Sequence, residues 1–414
     1  MKRRVVITGI GTINPIGHNL EETWENAKKG VCGIDFTKQF DTTDFKVKVS
    51  GEVKDYDPEQ YLDKKEAKKM DRYTQFAVIA AKEALADSGI DIEKEADPFR
   101  LGTIISSGIG GLKTIEDEHN RGLQRGFEKI SPFFIPMAIS NMAAGEVAIR
   151  TGFKGECLSI VTACASSTNA LGEAFHAIRD GYQDVVLAGG AEGTICDLAQ
   201  GGFTVMKALY SGDDPKRASI PFDAERGGFV MGEGGAVLIL EELEHAKARG
   251  AKIYAEFVGY GATCDAYHIT APDPEGTGAA RAMKIAMEDA GLAPEEIGYI
   301  NAHGTSTHLN DAGETKAIHI AFGEHAGKLM VSSTKSMTGH LMGAGGALEA
   351  IFLAKAVQEG FVPATINYQV PDPECDLDYV PGTGRVVPEL QAGLSNSLGF
   401  GGHNATIAIK KWVE

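Results

Sequence analysis

Short apolar runs alternate along the chain with longer segments in which apolar residues recur at helical spacing. The runs 101–106 and 185–188 have the length of buried strands. The segments 75–88 and 166–178 instead place their apolar residues three and four positions apart, as one face of a helix does. Strands that alternate with helices predict an α/β protein whose sheets are sandwiched between helices.

The same pattern occurs twice. Residues 4–11 and 255–261 are both apolar and both contain Gly-x-Gly, and we interpret each as a strand that ends in a glycine turn. The remaining matched segments are the helices 84–90 and 286–292, the strands 101–106 and 297–302, 159–163 and 330–334, and 185–188 and 394–396, and the helices 166–178 and 344–357. This duplication predicts two fused halves, residues 1–252 and 253–414.

The first half carries two extra stretches that have no counterpart in the second. One lies between Gly11 and segment 75–88, and the other lies between Gly111 and Ser159. Neither is of low complexity or resembles a flexible linker. We expect them to form a cap and a partner-contact surface.

Composition and charge narrow the class of protein. The net charge of −17 over 414 residues argues against a general nucleic-acid surface, because neutralising phosphates needs a basic face. No apolar run approaches the roughly 18 residues that cross a membrane. The six cysteines include no Cys-x-x-Cys pair, so neither a zinc site nor a disulfide framework is indicated. We therefore expect a cytoplasmic protein that binds neither nucleic acid nor membranes.

Cys164 is the most distinctive candidate for chemistry. It lies between the apolar run 158–161 and the predicted helix that begins at Ser166. Unpaired N–H groups at a helix start favour a thiolate, so we expect this position to lower the pKa of the thiol and make it a nucleophile. The alternative is that Cys164 is a small buried apolar residue.

Two histidines follow matching strands of the second half. His303 follows segment 297–302, and His340 lies on the loop that corresponds to the Cys164 loop. Open α/β sheets bind their ligands at such strand ends. A cysteine with two histidines suits acyl-thioester chemistry, in which neutral imidazoles donate hydrogen bonds to a carbonyl that gains charge. Lys335 is a candidate to tune that field, and its alternative role, pairing with a carboxylate such as Glu349, does not exclude the first.

Two further motifs are less specific. Phe400 is bracketed by glycines and predicts a mobile gate, with a backbone oxyanion hole as an added possibility and a simple surface turn as the alternative. Residues 64–72 carry Lys64, Lys65, Lys68 and Lys69, which we place on one face of a helix. That face predicts a docking site for an acidic partner, although a solvated helix face would have the same composition.

The motifs together resemble the β-ketoacyl-acyl-carrier-protein synthases of fatty-acid synthesis, especially the bacterial type II condensing enzymes, from end to end. The segments that carry the resemblance are Thr162-Ala163-Cys164-Ala165-Ser166, Asn301-Ala302-His303-Gly304-Thr305-Ser306-Thr307, Lys335-Ser336-Met337-Thr338-Gly339-His340 and Asn396-Ser397-Leu398-Gly399-Phe400-Gly401-Gly402. The resemblance implies a duplicated thiolase-like fold, layered α-β-α-β-α with two mixed five-stranded sheets. It also implies a homodimer with region 131–144 near its interface.

The resemblance further implies an acyltransferase that elongates an acyl chain by two carbons, with acyl-ACP and malonyl-ACP as partners. Cys164 would carry the acyl group, and the N–H groups of Cys164 and Phe400 would form the oxyanion hole. His303 and His340 would bind the malonyl thioester carbonyl, supported by Lys335 and Glu349. The resemblance implies that no cofactor is required.

The resemblance assigns substrate contacts as well. Thr305 and Thr307 would hold the carrier's pantetheine arm, Phe203 and Phe229 would wall its tunnel, and Ile109 would gate the acyl pocket. Lys64, Lys65, Lys68, Lys69 and Lys207 would dock the carrier protein. A structural K⁺ or Na⁺ would lie near Asn301, Ala302, Glu349, Ser395 and Asn396.

Related functions stay open at this point. A polyketide-type ketosynthase would share these motifs. A non-catalytic chain-length-factor subunit is disfavoured because Cys164, His303 and His340 are all present. A degradative thiolase would need a second active-site cysteine, and none precedes His403 in the Gly401-Gly402-His403 segment.

Overall fold

The computed structural model describes residues 2–413 and confirms the predicted alternation of strands and helices. The strands are β1 (Val5–Ile13), β2 (Asp35–Phe36), β3 (Val49–Ser50), β4 (Leu101–Ser106), β5 (Cys157–Leu158), β6 (Val185–Glu192), β7 (Gly234–Glu242), β8 (Ala255–Cys264), β9 (Tyr299–Asn301), β10 (Met330–Ser332), β11 (Phe361–Val362), β12 (Arg385–Val386), β13 (Ala392–Gly399) and β14 (His403–Lys411). The helices are α1 (Leu20–Lys29), α2 (Lys64–Ala67), α3 (Arg72–Ser88), α4 (Leu112–Arg125), α5 (Phe134–Ala138), α6 (Met142–Thr151), α7 (Ser166–Arg179), α8 (Asp197–Val205), α9 (Leu243–Ala248), α10 (Thr277–Ala290), α11 (His308–Phe322), α12 (Lys335–Thr338) and α13 (Gly345–Glu359).

Ten strands within residues 2–413 form one mixed sheet in the order β10-β9-β13-β14-β8-β1-β7-β6-β4-β5. The order of five strands outward from β8 repeats that outward from β1, as the duplication predicts. The two predicted five-stranded sheets are therefore present as two five-stranded halves. Antiparallel pairing of β1 with β8, from Val5↔Phe257 to Ile7↔Ala255, joins them into a single sheet. The division of the chain at residue 252 stays a prediction.

Helices cover both faces of each half. α7 and α13 lie in the centre of the molecule and contact strands of both halves. α3 and α6 pack on the outer face of the first half, and α10 and α11 pack on the outer face of the second. These layers confirm the α-β-α-β-α arrangement. Among residues 2–413, no helix has the length and apolar character needed to span a bilayer.

The repeated Gly-x-Gly pairs have a different role from the predicted one. Gly9 and Gly11 lie inside β1, and Gly259 and Gly261 lie inside β8, so the prediction of turns was wrong. A Cβ on Gly9 or Gly11 would lie 2.3 or 2.1 Å from a carbonyl oxygen of α3. The equivalent atoms on Gly259 and Gly261 would lie 2.2 and 2.1 Å from carbonyl oxygens of α10. The glycines therefore let a helix backbone approach the strand closely.

The chain just before Cys164 also differs from the prediction. The strand expected at 159–163 is instead the two-residue β5, which pairs in parallel with β4. Residues 159–162 are irregular, and a 3₁₀ turn at Ala163–Ala165 leads into α7. α7 begins at the predicted residue, Ser166.

The basic segment does not form one continuous helix face. α2 ends at Ala67, and the Asp71 side chain accepts a hydrogen bond from the Tyr73 N–H to begin α3. Arg72 turns inward and forms two hydrogen bonds to the buried Glu233. The predicted docking face is therefore shorter than expected, although Lys64, Lys65, Lys68 and Lys69 are all exposed.

Candidate active site

A cavity of about 540 Å³ gathers ten of the predicted site residues. Cys164, His303 and His340 line it together. The other predicted residues in its wall are Ile109, Phe203, Lys207, Phe229, Thr305, Thr307 and Phe400. Lys64, Lys65, Lys68 and Lys69 lie outside the cavity wall, and Lys335 and Glu349 are buried beside the site.

Cys164 and the two histidines form a compact cluster. One side-chain nitrogen or sulfur atom from each of the three lies within 4.8 Å of the others. The rings of His303 and His340 meet edge to face, with centroids 5.3 Å apart. The ring of Phe229 packs against the ring of His340, with centroids 5.5 Å apart, and so limits the movement of the imidazole. Segments far apart in sequence therefore meet at one reaction centre.

A strained turn presents Cys164 to the cavity. Ala163 has a φ of +51°, which is uncommon for a residue with a side chain. The Ser166 hydroxyl holds the turn, since it accepts a hydrogen bond from the Thr162 N–H at 2.9 Å and donates one to the Ala163 carbonyl at 2.6 Å. Gly399 packs directly on this turn, because a Cβ there would lie 2.6 Å from the Thr162 oxygen. The approach places the next residue, Phe400, beside the sulfur.

The Cys164 thiol is not the ready thiolate expected from the helix start, and that prediction was wrong. Burial raises the pKa of the thiol to about 11. The positive charge of Lys335 and the backbone N–H groups of Phe400 and Cys164 lower the pKa, but they do not offset burial. The thiol is therefore protonated at neutral pH, and the two N–H groups point to where negative charge would develop.

Both histidines are neutral at neutral pH. Burial and the nearby charge of Lys335 hold the pKa of His303 and of His340 well below its usual range. The Met342 N–H donates to Nδ1 of His340 at 3.2 Å, so the ring proton of His340 resides on Nε2. Within the described chain, neither this Nε2 nor Nδ1 of His303 has a hydrogen-bond partner, although both are buried. A bound carbonyl would accept a hydrogen bond from Nε2–H of His340.

Lys335 and Glu349 form a buried ion pair. Nζ of Lys335 donates to Oε1 of Glu349, and both side chains are almost fully buried. Burial raises the pKa of Glu349 to about 7 even though Lys335 lowers it. The pairing predicted as one alternative is thus present, and Lys335 also lowers the pKa of Cys164, His303 and His340.

Two buried glutamates that sequence reasoning missed hold the loops of the site. Glu314 accepts hydrogen bonds from the backbone N–H groups of His303 and Gly304, both at 2.8 Å. Glu192, the last residue of β6, accepts from Ser107, Gly108 and Gly343. A carboxylate that ends the apolar run 185–191 is the signal that could have identified Glu192.

The Phe400 loop contacts a second loop that was also missed. Gly401 and Gly402 have φ values of +90° and +77°, which glycine adopts readily. The Gly401 N–H donates to the Ile269 carbonyl at 2.8 Å, and the Asp265 N–H donates to the Gly402 carbonyl at 2.8 Å. Phe400 is half-buried in the cavity wall, and its predicted movement as a gate stays a prediction.

The pantetheine and tunnel residues lie on the same cavity. The hydroxyls of Thr305 and Thr307 are 2.9 Å apart, so one donates to the other and together they offer a polar contact. Phe203 and Phe229 meet edge to face at 5.3 Å. Ile109, in the turn after β4, is partly exposed and lines the same cavity. Their predicted roles in substrate binding stay predictions.

The sequence that forms this cavity matches two known family profiles. Residues 2–246 match the sequence profile described as "Beta-ketoacyl synthase, N-terminal domain", and residues 254–369 match that described as "Beta-ketoacyl synthase, C-terminal domain". The chain belongs to the β-ketoacyl synthase family. The family resemblance expected from the four motif segments is thereby confirmed.

Similar members of the β-ketoacyl synthase family cover the whole chain. A protein of Synechocystis sp. named "3-oxoacyl-[acyl-carrier-protein] synthase 2" is 53% identical, and the alignment covers 99% of each chain. A protein of Staphylococcus aureus with the same name is 52% identical, again over 99% of each chain.

Solved structures of this family have the same fold. A β-ketoacyl synthase from Burkholderia phymatum superimposes with a TM-score of 0.92 at 34% identity, over 100% of both chains. The structure titled "type II PKS acyl-carrier protein in complex with its ketosynthase bound to the hexaketide" gives 0.93 at 36% identity, also over 100% of both chains. The thiolase-like ketosynthase fold is therefore confirmed.

Proposed function

We propose that the chain catalyses a decarboxylative Claisen condensation, in which malonyl-ACP extends an acyl group held on Cys164 by two carbons. The observation that carries this proposal is the cluster of Cys164, His303 and His340 in one cavity, with the Phe400 N–H beside the sulfur. The family members with the name 3-oxoacyl-[acyl-carrier-protein] synthase 2 at 52–53% identity support it.

The first half-reaction transfers the acyl group to Cys164. The sulfur bonds to the acyl carbon, the bond from that carbon to the pantetheine sulfur breaks, and the thiol proton ends on the departing carrier thiol. The N–H groups of Cys164 and Phe400 stabilise the transient oxyanion.

The second half-reaction forms the carbon–carbon bond. The malonyl carboxylate leaves as carbon dioxide, and the electron pair of the broken bond passes to the thioester as an enolate. Nε2–H of His340 and a nitrogen of His303 donate hydrogen bonds to the enolate oxygen. A neutral imidazole can do this because it carries one ring N–H. The enolate carbon attacks the acyl carbon, and the Cys164 sulfur leaves as a thiolate that takes a proton from water.

Recognition of the carrier protein is proposed at the cavity wall and on the basic segment 64–69. Lys207 lines the cavity, and Lys65 and Lys68 are exposed. Lys64 pairs with Glu59 and Lys69 pairs with Glu66, so part of the positive charge is already balanced within the chain. Lys65 and Lys68 are therefore the strongest anchors for an acidic carrier.

A homodimer in the cytoplasm is part of the proposal. β5 is at the edge of the sheet, where its exposed residues Cys157 and Leu158 can pair with another strand. The extra stretch before β5 also exposes large apolar side chains. These include Leu123, Phe127, Phe133, Ile135, Ile139 and Ile149.

A monovalent cation fits the residues present. Asn301 Oδ1, Ser395 Oγ and Glu349 Oε2 are buried and lack a hydrogen-bond partner within the described residues. Asn301 and Ser395 are neighbours on adjacent parallel strands. Oxygen donors of this kind suit K⁺ or Na⁺. These residues, with Ala302 and Asn396, would hold an ion whose positive charge stabilises this side of the cavity.

The alternative, a polyketide-type ketosynthase, differs from a fatty-acid enzyme in that it extends the same product repeatedly. The solved polyketide ketosynthase is 36% identical to the chain, whereas the two synthase 2 proteins are 52–53% identical. We therefore favour a fatty-acid role with single extensions. Presence of Cys164, His303 and His340 continues to disfavour a non-catalytic subunit.

The test is a condensation assay with the purified protein, malonyl-ACP and acyl-ACPs of increasing chain length. We expect one 3-oxoacyl-ACP two carbons longer than each substrate, with one carbon dioxide released per product. Mass spectrometry of the carrier and a carbon dioxide assay provide the two readouts. Successive ketide extensions would favour the polyketide role, and absence of any longer product would contradict the proposal.

A further inference from the structure

Glu192 is a buried carboxylate that the condensation chemistry does not use. It has no exposed surface, although it is the last residue of β6. Oε1 accepts from the Ser107 hydroxyl at 2.8 Å, and Oε2 accepts from the N–H groups of Gly108 at 2.8 Å and Gly343 at 3.1 Å. All three partners are neutral donors. An ionisable group kept in such a place needs a positional reason.

The partners of Glu192 belong to two different parts of the cavity. Ser107 and Gly108 form the turn after β4 that carries Ile109, and the Ser107 hydroxyl also accepts from the Gly110 N–H at 2.9 Å. Gly343 follows Met342, whose N–H fixes the ring of His340. The carboxylate therefore contacts the turn on the Cys164 side and the loop that orients a histidine.

The two segments are also in direct backbone contact. A Cβ on Gly343 would lie 2.1 Å from the Gly108 nitrogen and 2.9 Å from Oε2 of Glu192. A Cβ on Gly108 would lie 2.9 Å from the same oxygen and 3.3 Å from the Gly343 nitrogen. A shift of either segment must therefore move the carboxylate or the other segment, because neither has free space.

We infer that Glu192 is a positioning residue that links the Ile109 turn to the His340 loop, so that an acyl chain against the turn aligns His340 for the malonyl half-reaction. The inference rests on the proposed condensation. Ile109, Cys164 and Met342 line the same cavity, so a chain on Cys164 has the Ile109 turn within its surroundings. Cys164 makes no hydrogen bond to Glu192, so the link through the two loops acts on the second half-reaction. The charge of Glu192 also raises the pKa of the Cys164 thiol, an effect that any uncharged replacement removes.

The matched variants are E192A and E192Q. Alanine removes all three hydrogen bonds. Glutamine keeps them, because its oxygen can accept from Gly108 and Gly343 while its NH₂ donates to the Ser107 hydroxyl. Glu83 supplies the control, since it too accepts two backbone hydrogen bonds, from Thr12 and Leu20 at 2.8 Å, and lies in α3 away from the cavity.

The experiment measures the two half-reactions separately, in the full-length protein. Acylation of Cys164 by acyl-ACP is followed by intact mass, and condensation is followed in a single turnover after mixing pre-acylated protein with malonyl-ACP. Acetyl and dodecanoyl groups are compared as the pre-loaded chain. Melting temperatures show whether each variant is folded.

We expect E192A to acylate within about twofold of the parent but to condense at least tenfold more slowly, with the larger loss for dodecanoyl. E192Q should condense within about threefold of the parent, and E83Q should match the parent in both steps. If E192A does not fold, S107A removes one of the three hydrogen bonds and should show the same pattern more weakly.

Three results would overturn the inference: equal losses of E192A in both half-reactions, no loss in condensation, or E192Q as slow as E192A. A parent protein that acylates but never condenses would instead overturn the proposed function.

Discussion

The two halves of the molecule build the same turn in front of a central helix and use it differently. In the first half Ala163 has a φ of +51° and precedes Cys164 and α7, and in the second half Met342 has a φ of +45° and precedes Gly343 and α13. The first turn presents a side-chain thiol to the cavity. The second presents backbone N–H groups, which hold His340 and Glu192. Duplication thus supplied two equivalent backbones, and single side chains gave them separate functions.

Removing His340 should have the largest effect on the second turn's function. His340→Ala deletes the Nε2–H donor to the enolate, and loss of one such donor costs about 10²–10³-fold in rate. We expect condensation to fall by that factor while acylation of Cys164 changes much less. Single-turnover assays of each half-reaction measure the difference. Equal losses in both would show that the two turns are not functionally separate.

Filling the space at the second turn should affect stability. Gly343→Ala would place a Cβ 2.1 Å from the Gly108 nitrogen, so we expect a loss of about 1–3 kcal/mol in the free energy of unfolding. Gly345→Ala is the matched control, because its Cβ would meet no atom closer than 3.6 Å. Denaturant unfolding of both variants tests the contrast. Equal stabilities would mean that the two loops can separate freely.

The first turn presents a thiol rather than a thiolate, so the reactivity of Cys164 should depend on pH. Because the pKa of Cys164 is raised to about 11, the thiolate fraction should rise about tenfold per pH unit from pH 7 to 10. Alkylation of Cys164 by iodoacetamide, read by peptide mass spectrometry, should rise in parallel. Lys335→Met removes a charge that lowers this pKa and should slow alkylation at pH 8. A parent rate that is already constant below pH 8 would contradict this account.

Carrier docking should give the smallest effect, since it is remote from both turns. Reversing the charges of Lys65 and Lys68 to Glu should raise KM for acyl-ACP several-fold and leave kcat and iodoacetamide alkylation unchanged. Lys94→Glu is a suitable control, because Lys94 is an exposed lysine on another segment of the surface. An unchanged KM would remove the basic segment 64–69 from the docking surface.

Sequence patterns located the site more accurately than they described its energetics. Cys164, His303, His340 and Phe400 each follow a recognisable motif, and the fold brings them to one cavity. The pKa of Cys164 was predicted in the wrong direction, because it depends mainly on how deeply the fold buries the sulfur. No local pattern reports that quantity.

The wrong predictions about the fold had a similar origin. Gly9 and Gly11 were interpreted as a turn, yet they accommodate the α3 backbone, which is a contact between distant segments. Residues 64–72 have helical spacing throughout, but the side chain of Asp71 caps a new helix and breaks the face. Glu192 was missed because its partners lie in two segments that are distant from it in sequence.

The central claim is that the first turn's thiol carries the acyl group, and intact mass spectrometry tests it most directly. After incubation of the protein with dodecanoyl-ACP, we expect a mass increase of one dodecanoyl group, located on the Cys164 peptide and removed by hydroxylamine. Cys164→Ala should show no increase, although exposed Cys157 and Cys264 are still present. No adduct on the parent, or an adduct that persists in Cys164→Ala, would contradict the account.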